Sequence, residues 1–200
     1  MPELASLLQS VLSLEGLAVI LAIAYLLLAA RESLWCWYCA FGSSVLYILI
    51  FWDVRLLMES ALSVYYTVMA VVGWWQWRSG TQEQRRPIIR LPWWQHLLWL
   101  AAMLLLSLLS GTLLHYFTDA AWPFVDSFTT WGAAITTLLV VRKVLENWLY
   151  WLLIDGISLY LYIDRGLYLT ALLFAAYLVI VLFGFVRWYR LYCEQEAAAA

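Results

Sequence analysis

Charge is scarce in this 200-residue sequence: Asp and Glu total 13, Lys and Arg 11, together 12% of the chain. Soluble domains carry about a quarter charged residues, so the composition argues against a water-soluble globular enzyme. With few basic residues and a net charge of −2, the electrostatic footprint of a nucleic-acid binder is missing too. Three cysteines, an odd number, make no disulfide framework, and buried free thiols are expected. Cys36-Trp37-Tyr38-Cys39 forms a CxxC, but at a helix end and outside any redox-fold context. The only two histidines, His96 and His115, have no Cys or acid nearby at metal-ligand spacing. No nucleophile elbow, phosphate loop or zinc helix occurs, so neither catalysis, a metal nor a cofactor is expected. The N-terminal stretch has Glu3 and lacks the basic start of a secretory leader. The Ala197–Ala200 run reads as an expression scar.

What the chain has instead is apolar length. Two thirds of it is hydrophobic, with 14 Trp and 13 Tyr, ring types that gather at membrane interfaces and in ligand pockets. The hydrocarbon core is about 30 Å thick and takes about 20 apolar residues to cross as a helix. Seven such stretches follow one another: 16–30, 33–52, 57–77 (broken only by Glu59 near its start), 93–116, 124–141, 144–163 with Asp155 inside, and 167–186. They are too long and continuous for barrel strands, and in lipid the remaining option is the helix. The expected fold is therefore an all-α integral membrane protein with seven transmembrane helices. An outside N-terminus puts Arg31, Arg78, Arg85, Arg86, Arg90, Arg142, Lys143, Arg187 and Arg190 in the cytoplasm. Only Arg55 and Arg165 then face out. The positive-inside bias thus places the C-terminus inside. Residues 79–92 form the one substantial loop, cytoplasmic and basic, whose Arg85 and Arg86 are placed to touch anionic lipid.

A gapless shift of 111 residues superimposes Arg31 on Arg142, Trp37 on Trp148, Asp53 on Asp164, Tyr66 on Tyr177, Gly73 on Gly184 and Trp77 on Trp188. These matches run in one register from the end of the first helix to the end of the third, and again from the fifth to the seventh. They divide the chain into a first three-helix unit (12–78), the loop (79–92), a linker helix (93–116), a second three-helix unit (124–190) and a C-terminal tail (191–200). Three spans reverse the side of the membrane, so the single linker span makes the units parallel repeats in a 3+1+3, SWEET-like plan. Substrate sites of such carriers lie near midplane at the repeat interface.

Ionisable and amide groups inside a span are costly unless they meet a cavity or a partner. In the sixth stretch Asn147, Trp151 and Asp155 are spaced four apart and share a face that Trp148 borders. An amide, two indoles and an acid near midplane suit a flat, polar, cationic ring. The competing reading is an interhelical hydrogen bond for Asn147 and a paired or protonated Asp155. In the third stretch Trp74 and Tyr66 are further candidates, with Gly73 allowing close helix approach. The neighbouring Trp75 and Trp77 fit an interfacial belt. Asp126, Ser127, Thr129 and Thr130 open the fifth stretch. Asp126 there suits the helix dipole, while Thr130 and its neighbours also offer hydroxyls for binding a sugar.

Glu146-Asn147-Trp148-Leu149-Tyr150-Trp151, preceded by Arg142-Lys143 and followed by Ile154, Ile157 and Ser158, resembles a signature of the PnuC family of nicotinamide riboside transporters. Asp126-Ser127 upstream, and Gly73-Trp74 with Trp77, fit the same family pattern. The resemblance implies a homotrimeric carrier of the bacterial inner membrane. It implies facilitated diffusion of nicotinamide riboside, trapped afterwards by cytoplasmic phosphorylation. Asn147, Trp148 and Trp151 carry over as substrate-site residues, as do Trp74 and Asp126; Asp155 departs from the neutral amide expected in some relatives. With no midplane partner for Asp155, the residues favour a uniport over an ion-coupled pump. A carrier for thiamine, another flat vitamin or a sugar remains open, as does a non-transporting membrane scaffold.

Overall fold

The computed structural model describes residues 14–53, 57–78, 87–118, 122–164 and 168–199. Among them are seven helices: α1 (Leu14–Ala30), α2 (Trp35–Asp53), α3 (Leu57–Trp77), α4 (Trp93–Phe117), α5 (Pro123–Val141), α6 (Asn147–Asp164) and α7 (Tyr168–Ala199). Trp93–Phe117, Pro123–Val141 and the Ala171–Ala198 part of α7 are long and apolar enough to cross a membrane, while Gly16–Ala30 and Trp35–Ile50 are shorter apolar helices. Arg55, Arg85, Arg86 and Arg165, on which part of the expected topology rests, and the side chain of Glu59 lie outside the described residues.

The chain forms two compact units, 1–86 and 87–200, so that α4 groups with the second. In the first, α2 packs on both α1 and α3. It is stitched to each by a hydroxyl: Ser43 Oγ donates to Ala18 O (2.8 Å), and on the other side Ser60 Oγ of α3 donates to Ile48 O (3.2 Å). Helices in lipid gain little from apolar burial and associate through such close contacts and bonds. In the second unit α4, α5, α6 and α7 pack in sequence. Met103, Leu139, Val144, Tyr150 and Ile154 form its core. On α4 only Met103, Ser107 and Gly111, four residues apart, are buried. Most of the leucines around them are exposed, as on a helix that meets hydrocarbon on most sides.

Two helix stops have the same construction. After α1, Ser33 N donates to Leu28 O (2.9 Å) and Glu32 N to Ala29 O (3.0 Å), with Glu32 at φ 53°. After α5, Val144 N donates to Leu139 O (3.0 Å) and Lys143 N to Val140 O (2.9 Å), with Lys143 at φ 56°. Both are Schellman ends. In each, a side chain occupies the left-handed position where glycine is usual, at a strain of about 1 kcal/mol. The partners are 111 residues apart throughout. Just beyond each stop a tryptophan enters the next helix, and its ring lies flat on a glycine: Trp37 on Gly73, Trp148 on Gly184. Each ring also meets a second indole edge-on, Trp37 with Trp77 (5.1 Å, 87°) and Trp148 with Trp188 (5.4 Å, 85°).

The expected helix limits shift where these stops act. α2 begins at Trp35 and α6 at Asn147, two and three residues later than apolar character alone indicates, because the stop consumes those residues. Residues 191–199 continue α7. At 32 residues and 1.5 Å per residue, α7 is about 48 Å long.

A β-carbon on Gly73 or Gly184 would overlap the tryptophan ring. Gly73→Ala and Gly184→Ala are therefore expected to destabilise the protein by about 1–3 kcal/mol. Gly156→Ala, where a β-carbon meets nothing within 4 Å, should be neutral or slightly stabilising. Thermal unfolding in detergent checks this; equal losses at all three positions would remove the packing explanation.

Candidate functional site

On α6 the four predicted residues fall within about 100° of arc, at about 100° per residue. Asn147 comes first in that arc, then Trp151, Asp155 and Trp148. The opposite side of the helix carries Leu149, Leu153 and Tyr160, all exposed. The polar face therefore turns into the protein. Asn147 is 0% exposed, Trp148 1% and Asp155 5%, while Trp151 is half-buried against the core around Tyr150 and Ile154.

Their polar atoms are incompletely used. Asn147 Nδ2 donates to Val144 O (2.6 Å), which holds the amide across the turn, but Asn147 Oδ1 has no partner among the described residues. Trp148 Nε1 is likewise buried without an acceptor. No hydrogen bond or ion pair from a described residue reaches the Asp155 carboxylate. On α5, Ser127 Oγ and Thr136 Oγ1 are also buried and unpartnered. Buried polar groups are normally satisfied, and exceptions in native proteins call for a ligand, water or a functional role. One face thus presents an acceptor (Asn147 Oδ1), a donor (Trp148 N–H) and an acid with no partner among the described residues.

Trp148 has a second role that its sequence position did not announce. Its ring is the wedge seated on Gly184, so its faces are occupied by packing and its free function is the N–H. Asp126 is exposed in the first turn of α5, behind Pro123, where a carboxylate meets the helix N-terminus favourably. The buried hydroxyl of that segment is Ser127 rather than Thr130, which is half-buried.

The other two predicted residues belong to the first unit. Trp74 Nε1 donates to Tyr38 Oη (2.9 Å), and the Arg78 guanidinium lies 4.6 Å above its ring. Tyr38 is exposed, so Trp74 takes part in an amphipathic aromatic–arginine cluster of the kind found at membrane interfaces. Tyr66 is half-buried and tilted against Tyr65 at 5.8 Å. Trp37, the counterpart of Trp148 in the 111-residue register, also keeps an unpartnered buried Nε1.

Four contacts of the second unit escaped the sequence reading. Glu146 accepts from Arg90 Nε (3.1 Å) and from Leu91 N (3.4 Å). That bond and the adjacent negative charge push the guanidinium further above its ordinary range. Tyr150 Oη pairs with His96 Nδ1 (2.9 Å), and Trp131 Nε1 donates to Ser110 Oγ (3.1 Å). The i, i+4 spacing of Glu146 and Tyr150 placed both on one face of α6, but their partners come from segments far away in sequence.

The profile of the nicotinamide mononucleotide transporter family matches residues 12–190. Among curated proteins the chain is similar to the riboflavin/roseoflavin transporter RibM of Streptomyces davaonensis. The two are 25% identical over 174 residues, which cover 85% of this chain and 81% of RibM. It is similar as well to the nicotinamide riboside transporter PnuC of Escherichia coli, at 24% identity, covering 88% of this chain and 84% of that protein. Among solved structures, a crystal structure of the vitamin B3 transporter PnuC superimposes with a TM-score of 0.72. The superposition covers 90% of this chain and 82% of that one at 19% identity, and so shows a shared fold.

Removing a hydroxyl that has no partner costs little, whereas removing a bonded one costs about 1 kcal/mol. Ser127→Ala and Thr136→Val are expected to leave unfolding in detergent unchanged or to raise the midpoint, and Ser43→Ala to lower it. Midpoints that fall together for all three would mean that Ser127 and Thr136 are bonded after all.

Proposed function

Since this chain belongs to the nicotinamide mononucleotide transporter family, which includes PnuC, we propose that it carries nicotinamide riboside across the bacterial inner membrane. The observation that carries the reading is the buried face of α6, where, among the described residues, Asn147 Oδ1 and Trp148 Nε1 lack partners and Asp155 lacks a counter-ion. Nicotinamide riboside is a cationic pyridinium ring with a carboxamide and a ribose. Its carboxamide N–H complements Asn147 Oδ1, its carbonyl or a hydroxyl complements Trp148 N–H, its charge complements Asp155, and Trp151 stacks on the ring. Tyr66, Trp74, Asp126 and Thr130 complete the proposed set, with Ser127 as the better-buried hydroxyl of its segment.

In this reading all seven helices span the bilayer in a 3+1+3 parallel plan, N-terminus outside and C-terminus inside. The matching helix stops and indole-on-glycine contacts 111 residues apart support the repeat. Transport is facilitated diffusion by alternating access, with trapping by phosphorylation in the cytoplasm. The carrier assembles as a homotrimer and works as a uniport, since among the described residues no basic group pairs with Asp155 to relay a proton. Uptake into vesicles that collapses with a protonophore at a constant substrate gradient would contradict the uniport.

A riboflavin-type substrate is the second reading, favoured by the similarity to RibM. The isoalloxazine ring is neutral and leaves Asp155 buried without a counter-charge, which is costly. A thermal-shift screen separates the readings. At 100 times its Kd, a bound ligand stabilises the folded state by about 2.7 kcal/mol. Nicotinamide riboside is expected to raise the midpoint, and riboflavin, thiamine, simple sugars and the phosphate-bearing mononucleotide are not. Asn147→Ala and Trp151→Ala should abolish the shift, and Asp155→Asn should reduce the preference for the cationic ring over neutral nicotinamide. Selective stabilisation by riboflavin would replace the first reading with the second; no shift with any compound would favour a non-transporting scaffold.

A further inference from the structure

Residues 87–91, immediately before α4, are laid along the turn that precedes α6. Ile89 N donates to Lys143 O (3.0 Å) and Leu145 N to Ile89 O (2.8 Å), a parallel bridge that pairs Ile89 with Val144. Glu146 takes the Arg90 guanidinium on Oε1 and the Leu91 amide on Oε2. Ile88 N donates to Gln195 Oε1 of α7 (3.1 Å), and the Ile88 side chain is buried. This strap therefore ties the start of α4 to the start of α6 and to the last turns of α7.

The first unit offers a comparison. The turn from Leu28 to Cys36 shares three backbone bonds with that from Leu139 to Asn147: Glu32 N to Ala29 O, Ser33 N to Leu28 O and Cys36 N to Ser33 O match Lys143 N to Val140 O, Val144 N to Leu139 O and Asn147 N to Val144 O. Yet Glu32, Ser33 and Leu34 are half-buried and Trp35 is 67% exposed, whereas Lys143, Val144, Leu145 and Glu146 are all buried. The strap accounts for the difference. In the 111-residue register Glu146 corresponds to Trp35, so the anchoring carboxylate exists in one copy only. Ordering an extended segment costs conformational entropy, and here two backbone bonds and a largely desolvated carboxylate offset it.

The strap bears on the site through one residue. Val144, paired with Ile89, supplies the carbonyl that holds Asn147 Nδ2 and so orients Asn147 Oδ1. We infer that Glu146 is a positioning residue: by docking residues 87–91 onto Val144 through Arg90 and Leu91, it fixes the Asn147 amide in the orientation a substrate donor requires. This rests on the reading of Asn147 as a substrate-site residue.

The test uses full-length protein in detergent and the variants Arg90→Glu, Glu146→Arg and Arg90→Glu/Glu146→Arg. Hydrogen–deuterium exchange is read at 87–91 and 143–147, and calorimetry gives nicotinamide riboside affinity. Each single reversal is expected to speed exchange of the Ile89 and Leu145 amides and to raise Kd about tenfold, as misplaced binding groups do. The double reversal should bring both readouts back to within about threefold of the parent, a rescue that a general loss of folding would not show. Glu146→Gln, which keeps an acceptor for Leu91 N–H, should lie between the parent and Glu146→Arg. Faster exchange with unchanged affinity would overturn the positioning role, and so would a double reversal no better than the singles. If the parent itself does not bind nicotinamide riboside, the substrate reading fails separately. The exchange arm then still decides the docking: unchanged exchange in the single reversals overturns it, and rescued exchange supports it.

Discussion

An indole laid flat on a glycine, a few residues after a helix has been stopped by a left-handed residue, is the contact on which each unit is built. The stop turns the chain sharply, so that the next helix starts with its tryptophan directed at the following helix. The glycine there has no side chain to keep the ring away, and a second indole closes the edge. Between helices that gain little from shedding lipid, such contact area is what holds neighbours in register. The same device with matching Schellman bonds occurs at Trp37 and Trp148, and both times it leaves the indole N–H buried and, among the described residues, unused.

That left-over polarity connects packing to function. A ring wedged for stability presents a donor at a fixed place, beside an amide whose own N–H is held by the backbone and whose oxygen is free. Family membership makes the chain a transporter; the proposed reading takes the buried and unsatisfied groups on α6 as the chemistry it meets. In the proposed reading Asp155 narrows the substrate class, because a carboxylate with no described counter-ion in a span is tolerable when a cation visits it.

The second unit adds what the first lacks. Its turn before α6 is covered by residues 87–91, clamped by Glu146 and Arg90, with His96 and Tyr150 tying α4 to α6 alongside. Arg142, whose guanidinium lies 5.9 Å over the Trp99 ring, adds a third tie between this turn and α4. The two turns thus carry matching Schellman bonds and unequal surroundings, and Glu146, which anchors the strap, is a tryptophan at the corresponding position of the first unit.

The helices, their order and the shared face of Asn147, Trp148, Trp151 and Asp155 were legible in the chain, because each depends on spacing along one segment: apolar length for a span, a period of 3.6 for a face. So was the correspondence of Trp37 with Trp148 and of Gly73 with Gly184, as matches in a 111-residue register, but not that each tryptophan seats on its glycine. The dual use of Trp148, the burial of Ser127 in place of Asp126, the Trp74–Tyr38 bond and the Glu146 strap were not legible. Each requires groups that are distant in sequence to meet, and no periodicity encodes which distant residue will be opposite. The amino-acid order by itself determined where the polar groups enter the apolar helices. Only tertiary packing decided which of them found partners and which stayed free, because a hydrogen bond is satisfied or orphaned by a neighbour a few ångströms away that may lie a hundred residues along the chain.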